Sequence, residues 1–272
     1  MSPSSRAVTR DGVALRFWEW PGAEPSTLLL HGVANYGRYW DDAATEIDGR
    51  LRLIAPDARG HGDSDRHGIG YERDEFLKDV IAILDDTGIA HALVVGHSMG
   101  GGHAIGLAAR HPERVRGLVL VDHSPQPMPE GATRARRLTS TRDDRFDDRA
   151  AALAYLKRTS PGYSDHVYEG RLEHAFRATD GGGLVWRSDR DALARIFQHG
   201  LPAAERWAEL ERVRCPTLVV RGTRSQVLDE RTARRMVDAT HGRLLELDAG
   251  HNIALDRPHE LASAIVELAG SL

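Results

Sequence analysis

The chain has a single cysteine, no long apolar run and no excess of basic residues, and each shortage excludes a class of protein. Cys215 is the only cysteine among 272 residues, which excludes an intrachain disulfide framework and a zinc site made of several thiolates. The 36 basic and 40 acidic residues are interspersed, without the one-sided basic stripe of a nucleic-acid-binding protein. No stretch approaches the roughly 18 apolar residues of a membrane span, and the polar N-terminus does not resemble an export signal. We therefore expect a cytoplasmic protein that binds neither nucleic acid nor membranes.

Short apolar runs that alternate with helical patterns predict an α/β fold. Each run is bounded by turn residues and is short enough for a buried strand. Helices are predicted between several of them, for example over 72–88, where apolar residues recur at helical spacing before Gly88. This order predicts a mostly parallel sheet with helices on both faces. The predicted strands are residues 26–30, 51–55, 92–95, 117–121, 216–221 and 243–247.

The alternation stops between residues 124 and 207, where no convincing strand is visible. Helix-like pieces such as 150–158 lie among Arg- and Asp-rich sequence such as 142–149. The segment carries more aromatic side chains than a solvated loop needs, which predicts that one of its faces covers something. We expect a helical lid inserted into a core made of residues 1–123 and 208–272. A solvated helical excursion with ordinary packing is the alternative.

The strongest local motif is Gly96-His97-Ser98-Met99-Gly100. It follows a predicted strand and precedes a helix rich in small residues, which is the context that a nucleophile elbow requires. Such a turn holds the serine in a strained conformation with its hydroxyl exposed, beside the free N–H groups of a helix N-terminus. The motif predicts that Ser98 is a nucleophile. The alternative is a tight structural turn.

A serine nucleophile needs a base and donors for the oxyanion. Among 14 histidines we choose His251, because it follows the predicted strand 243–247 at the sheet edge where active-site loops cluster. For the oxyanion hole we expect the backbone amides of Val33, in the loop His31-Gly32-Val33, and of Met99. An ordinary turn also explains the loop His31-Gly32-Val33, so the assignment of Val33 to the oxyanion hole stays a hypothesis.

Four blocks resemble the α/β-hydrolase superfamily, specifically its lid-bearing, cofactor-independent serine hydrolases. Besides the nucleophile motif they are His31-Gly32-Val33 followed by Trp40, the block 57–65, and Asp248-Ala249-Gly250-His251 followed by 256–258. They occur in the family's order over nearly the whole chain. The resemblance implies the α/β-hydrolase fold and the chain order serine, acid, histidine. The block 57–65 tends to be a structural turn in such relatives.

The acid of the triad departs from the commonest pattern of this family. Relatives often carry an aspartate after the strand that corresponds to 216–221, where this chain has Ser225 and Gln226, neither of which can be negatively charged. The family's second solution places the acid after the next strand beyond the nucleophile helix, and there this chain has Asp122. Asp122 is therefore our first choice. Asp229 is the alternative acid, although it is also placed to cap the helix that follows it.

The resemblance predicts hydrolysis of an ester-like bond, a carboxylic ester or lactone, of a small, partly apolar molecule through an acyl-enzyme. Carbon–carbon bond or thioester hydrolysis and perhydrolysis by a haloperoxidase-like enzyme share this machinery. A hydrolase-fold protein that binds a small ligand without turnover is the alternative from another class. We expect no metal and no cofactor, and the number of subunits stays open. The candidate substrate-binding residues are His31, Trp40, His97, His123, Trp186 and Phe197.

Overall fold

Eleven strands and eleven α-helices are present in the part of the chain that the computed structural model describes, which is residues 2–272 apart from the side chains of Arg134, Leu138 and Thr139. Met1 of the predicted core lies outside it. The strands are β1 (Ser4–Arg10), β2 (Val13–Trp20), β3 (Thr27–Leu30), β4 (Leu53–Pro56), β5 (Ala92–His97), β6 (Val115–Val121), β7 (Arg145–Phe146), β8 (Phe176–Ala178), β9 (Leu184–Trp186), β10 (Thr217–Gly222) and β11 (Arg243–Leu247). The helices are α1 (Asp41–Ile47), α2 (Arg73–Asp86), α3 (Met99–Arg110), α4 (Pro129–Ser140), α5 (Arg149–Thr159), α6 (Asp165–His174), α7 (Arg190–Gln198), α8 (Ala203–Leu210), α9 (Glu230–Thr240), α10 (Ile253–Asp256) and α11 (Pro258–Ala269).

Eight strands form the central sheet in the order β1-β2-β4-β3-β5-β6-β10-β11. Pairing is parallel from β4 to β11 and antiparallel where β2 meets β1 and β4. All six residues of β5 are buried, which explains why its sequence is a continuous apolar run without alternation. The predicted α/β-hydrolase fold with a mostly parallel sheet is confirmed, and each of the six predicted strands is present with ends shifted by at most two residues.

The antiparallel edge of the sheet was not among the predicted strands. β1 and β2 form a hairpin through Asp11 and Gly12, both of which have positive φ angles of 50° and 79°. Alternate residues of β2, beginning with Val13, Leu15 and Phe17, are buried, and this alternation together with the Asp-Gly turn was a readable hairpin signal.

Two apolar layers cover the two faces of the sheet. The layer between the sheet and helices α1 and α11 includes Trp40 and Ile265. The layer on the other face, beneath α2, α3, α8 and α9, includes Leu84 and Val94. α8 crosses the predicted insertion limit at residue 207, and its Trp207 belongs to this second layer. No helix among residues 2–272 combines the length and apolarity needed to cross a bilayer.

The segment between β6 and β10 corrects the expectation that it lacks strands. Besides helices α4 to α7 it contains a three-stranded antiparallel sheet in the order β7-β9-β8. These strands have two or three residues each, which is too short for a pattern of alternating hydrophobicity to be recognised. The rings of Phe146, Tyr155, Phe176 and Trp186 pack against one another here, with Phe176 and Trp186 centroids 4.1 Å apart. Several of its aromatic side chains therefore pack on one another and continue the apolar layer that includes Trp40 and Ile265.

Candidate active site

Ser98 lies in a sharp turn between β5 and α3, with a φ angle of +52°. This angle is unfavourable for a residue with a side chain, so the surrounding packing must impose it. Two close approaches explain the flanking glycines. A Cβ atom on Gly96 would lie 2.4 Å from the carbonyl oxygen of Gly100, and one on Gly100 would lie 2.3 Å from that of Leu30. The sharp turn is possible because Gly96 and Gly100 have no side chains, and larger residues at these two positions would clash with the backbone.

A continuous chain of hydrogen bonds links Ser98, His251 and Asp122. His251 Nε2 lies 3.0 Å from Ser98 Oγ, and His251 Nδ1 lies 2.6 Å from Asp122 Oδ2. A carboxylate oxygen can only accept, so Nδ1 carries the ring hydrogen and Nε2 is left free to accept the serine proton. Asp122 is fully buried, whereas about 31% of the His251 side chain is exposed. The arrangement can therefore remove a proton from Ser98 and stabilise the resulting imidazolium.

Two donors besides the histidine hold the Asp122 carboxylate. The amide of Gly222 donates to Oδ1 at 3.2 Å, and Ser225 Oγ donates to Oδ2 at 2.5 Å. Ser225 stands at the position where the family resemblance led us to look for an acid, and here it donates to Asp122 instead. Sequence reasoning rejected Ser225 because it cannot be charged and so missed this contact; its proximity in chain order to the expected acid site was the available signal.

The alternative acid, Asp229, is not brought to His251. Its carboxylate accepts hydrogen bonds from the backbone amide and the hydroxyl of Thr232, both at 2.8 Å, and so caps α9. These bonds lower the pKa of Asp229 even though its burial opposes them. Gln226 is exposed, and its side chain forms no hydrogen bond with Ser98, His251 or Asp122.

The loop that carries Val33 lies against the elbow. A Cβ atom on Gly32 would lie 2.8 Å from Nδ1 of His97 and 3.2 Å from Cβ of Ser98, so only glycine lets the two segments come this close. The amide of Val33 donates to no acceptor among residues 2–272, and Met99 is the first residue of α3, whose amide has no partner within the helix. Both amides are thus close to Ser98 in the chain or in space and available to an oxyanion.

His31 braces this loop. Its Nδ1 donates to the carbonyl of Gly32 at 2.7 Å, and its Nε2 accepts from the amide of Ala58 at 3.0 Å. Burial lowers its pKa to about 4, so the ring is neutral near pH 7. Both nitrogens are occupied by the backbone, which leaves neither for the substrate contact that the sequence suggested.

His97 and His123 flank the triad. His97 Nε2 donates to the backbone carbonyl of His251 at 2.9 Å, and its ring stacks on Tyr39 with centroids 5.1 Å apart. His123 Nδ1 donates to the carbonyl of Ser98 at 2.7 Å, while its buried Nε2 has no partner among the described residues. Burial lowers both pKa values, that of His123 to about 3. His97 therefore supports the loop of the base, and His123 supports the elbow while facing a cavity.

The three remaining substrate-binding candidates are not gathered at the triad. Trp40 is fully buried in the core beneath α1 and α11. Trp186 belongs to the aromatic cluster of the small sheet, and its indole donates to the carbonyl of Asp143 at 2.7 Å. Phe197 is half-buried on α7, and its neighbour Ile196 lines the cavity beside the elbow in its place.

Hydrogen bonds hold the segment that contains α4 to α7 against this edge of the sheet. The amide of Asp189 donates to the carbonyl of Gly60 at 2.9 Å, and Asn252, next to His251, donates to the hydroxyl of Tyr163 at 3.2 Å. Sequence reasoning did not single out Tyr163 as a neighbour of the base, because the contact joins positions 89 residues apart.

Comparisons with known proteins agree with this fold. The family model described as alpha/beta hydrolase fold matches residues 25–258. The 2-(acetamidomethylene)succinate hydrolase of Mesorhizobium japonicum is 29% identical over 226 residues, which are 82% of this chain and 79% of that protein. The 3-hydroxybutyrate-oligomer hydrolase of Cupriavidus necator is 29% identical over 269 residues, 92% of this chain and 91% of that one. A crystal structure of E-2-(acetamidomethylene)succinate hydrolase superposes with a TM-score of 0.89 at 25% identity, covering 97% of this chain and 98% of the other.

Proposed function

The chain belongs to the α/β-hydrolase fold family and is an enzyme of the hydrolase class, and from this premise we propose that it is a serine hydrolase that cleaves a carboxylic ester or lactone of a small, partly apolar molecule. The observation that carries the proposal is the unbroken hydrogen-bond chain from Asp122 through His251 to Ser98, with spacings of 2.6 and 3.0 Å. Similarity to the 3-hydroxybutyrate-oligomer hydrolase of Cupriavidus necator also supports ester chemistry.

In the proposed mechanism Ser98 Oγ attacks the substrate carbonyl as its proton passes to His251 Nε2. Asp122 holds the ring in the required tautomer and stabilises the imidazolium. The amides of Val33 and Met99 stabilise the oxyanion, each worth roughly 3 kcal/mol in the transition state. His251 then returns the proton to the leaving oxygen, and an acyl group stays on Ser98. Water, deprotonated by His251, attacks the acyl-enzyme and releases the acid and the free serine.

We propose that residues 124–207 act as the lid of this site and determine which substrates enter. Support comes from the hydrogen bond between Tyr163 and Asn252 beside the base, and from Ile196 in the wall of the cavity next to Met99. Lids of this kind select substrates by contacts remote from the reacting atoms.

The test is hydrolysis of 4-nitrophenyl esters of increasing acyl length by the wild-type enzyme and by the Ser98→Ala and His251→Ala variants. We expect wild-type turnover and, for each variant, loss of nearly all activity, since nucleophile and base act as a unit. Parallel thioester substrates rank the alternative acyl donors, because they would pass through the same step at Ser98. Wild-type-like turnover by Ser98→Ala would refute the proposal.

A further inference from the structure

A cavity of about 180 Å³ lies beside the elbow, between α2, α3 and the turn from α7 to α8. Met99, the residue after the nucleophile, and His123, which donates to the carbonyl of Ser98, both line it. Much of the remaining wall is apolar and comes from residues such as Phe76, Ile196 and Leu201. A ligand in this cavity would therefore contact the residue next to the nucleophile and a largely apolar wall.

The guanidinium of Arg206 lies in this apolar wall and has no carboxylate partner among the described residues. Its Nε donates to the carbonyl of Leu201 at 2.6 Å and its Nη1 to that of Pro125 at 3.3 Å. No carboxylate in the described part of the chain forms an ion pair with it, and burial lowers the pKa of Arg206 without an opposing charge. Arg73, which lines the same cavity, is by contrast paired with Glu209.

Burying part of a guanidinium without a counter-ion costs folding free energy. A bound anionic ligand would offset that cost. The two backbone carbonyls accept from Nε and Nη1 and hold the group in place, whereas Nη2 makes no hydrogen bond to residues 2–272. A planar guanidinium with free N–H groups is suited to pairing with a carboxylate. The chemistry of the wall thus matches a ligand with an apolar body and one anionic oxygen group.

His123 contributes its neutral ring to the cavity wall. Its Nδ1 hydrogen is donated to the carbonyl of Ser98, and its Nε2 is buried without a partner among the described residues. The charges of Arg73 and Arg206 add to burial in keeping this ring neutral. The anionic group of a ligand in this cavity therefore belongs at Arg206.

We propose that this cavity binds a carboxylate of the substrate through Arg206, so that the enzyme prefers anionic esters over neutral ones. The inference rests on the proposed serine hydrolase function and names the substrate class within it.

Two matched pairs of esters test the proposal and differ in where the carboxylate lies. The first pair, 4-nitrophenyl hydrogen adipate and its methyl ester, carries the charge on the acyl group. The second pair, 4-acetoxybenzoate and its methyl ester, carries the charge on the leaving group. For each ester, kcat/KM is divided by the rate of uncatalysed hydrolysis. We expect the wild-type enzyme to prefer the anionic member of one pair by about ten-fold to hundred-fold, the size of a charge-assisted hydrogen bond.

Variants assign the preference to Arg206. Arg206→Gln should abolish it while leaving kcat/KM for the neutral esters within about three-fold, and Arg206→Lys should keep part of it because charge remains without the planar fork. Arg212→Gln removes an equal charge from an exposed position just after α8 and should change neither value. Since the contacts of Arg206 to Leu201 and Pro125 also hold the turn, competition by adipate against an organophosphate label in the wild-type enzyme provides a readout without any substitution.

Equal efficiency of the wild-type enzyme toward both members of both pairs would overturn the proposal. So would equal losses for anionic and neutral esters in Arg206→Gln together with no protection of the wild-type enzyme by adipate against the label. Failure of the proposed function is distinguishable from either result, because then none of the four esters would be turned over and Ser98 would not be labelled.

Discussion

Replacing Asp122 by asparagine should abolish most activity and leave the fold nearly unchanged. The carboxylate is fully buried and accepts three hydrogen bonds, from His251 and Ser225 at Oδ2 and from Gly222 at Oδ1. An asparagine keeps this shape, but it has one acceptor atom and one donor atom instead of two acceptors.

The fixed donor at Oδ1 determines how the asparagine is oriented. Because the amide of Gly222 can only donate, the asparagine oxygen must face it, or a buried donor stays unsatisfied at a cost of about 1–3 kcal/mol. The NH₂ group then faces His251 Nδ1 and Ser225 Oγ, and both can accept from it. In this orientation all hydrogen bonds are made, but His251 carries its hydrogen on Nε2, where it can no longer accept the proton of Ser98. We expect kcat to fall on the order of 10⁴-fold.

The assay pairs steady-state hydrolysis of a 4-nitrophenyl ester with thermal unfolding. Asp122→Asn should unfold within a few degrees of the wild-type protein, since no hydrogen bond is lost. Asp229→Ala is the matched control, because it removes the cap of α9, destabilises the protein by about 1 kcal/mol and leaves kcat unchanged. If Asp122→Asn retained more than a tenth of wild-type turnover, the assignment of the acid would be wrong.

Three further predictions test the surroundings of the triad. Ser225→Ala removes a donor to Asp122 and should lower kcat on the order of ten-fold, with recovery in Ser225→Thr, as steady-state kinetics would measure. Gly32→Ala should lower kcat more than it changes KM, because its Cβ would displace the loop of Val33, whereas Gly68→Ala, in open space, should have no effect. Burial lowers the pKa of six histidines among residues 2–272. In three buried ones the pKa falls from 6.5 to about 4 or 3, so the unfolded chain takes up protons below pH 6.5 that the folded state refuses until about pH 4 or 3. Stability should therefore fall from pH 7 to pH 5 by about 2 kcal/mol per histidine, while Asp57, whose pKa burial raises to about 6, offsets about 1 kcal/mol. Urea unfolding at both pH values measures this, and a flat profile would contradict it; the histidines are His31, His61 and His123.

Local signals were sufficient for the parallel part of the sheet and for the elbow. β5 is a buried apolar run that ends in Gly96, and the pattern of small residues after Ser98 is written in consecutive positions. Such features depend on residues near one another in the chain, so the sequence predicts them directly.

The contacts that decide the roles of individual side chains are not local, and sequence reasoning missed several of them. Ser225 meets Asp122 across 103 positions, and Tyr163 meets Asn252 across 89. Trp186 was expected to contact the substrate because it is an aromatic residue in the predicted lid, but it packs against Phe176 at the edge of the apolar layer. Arg206 was unremarkable in a chain with interspersed charges, because only the fold reveals that no carboxylate among residues 2–272 pairs with it.

The central claim is that Ser98 is a nucleophile activated by His251, and covalent labelling tests it most directly. The protein is incubated with a fluorophosphonate at pH 7.5, and the adduct is measured by intact mass and mapped by peptide sequencing. The account predicts one adduct per chain, located on Ser98, absent in Ser98→Ala and formed at least a hundred-fold more slowly in His251→Ala. An adduct on another residue, or a labelling rate that His251→Ala leaves unchanged, would contradict it.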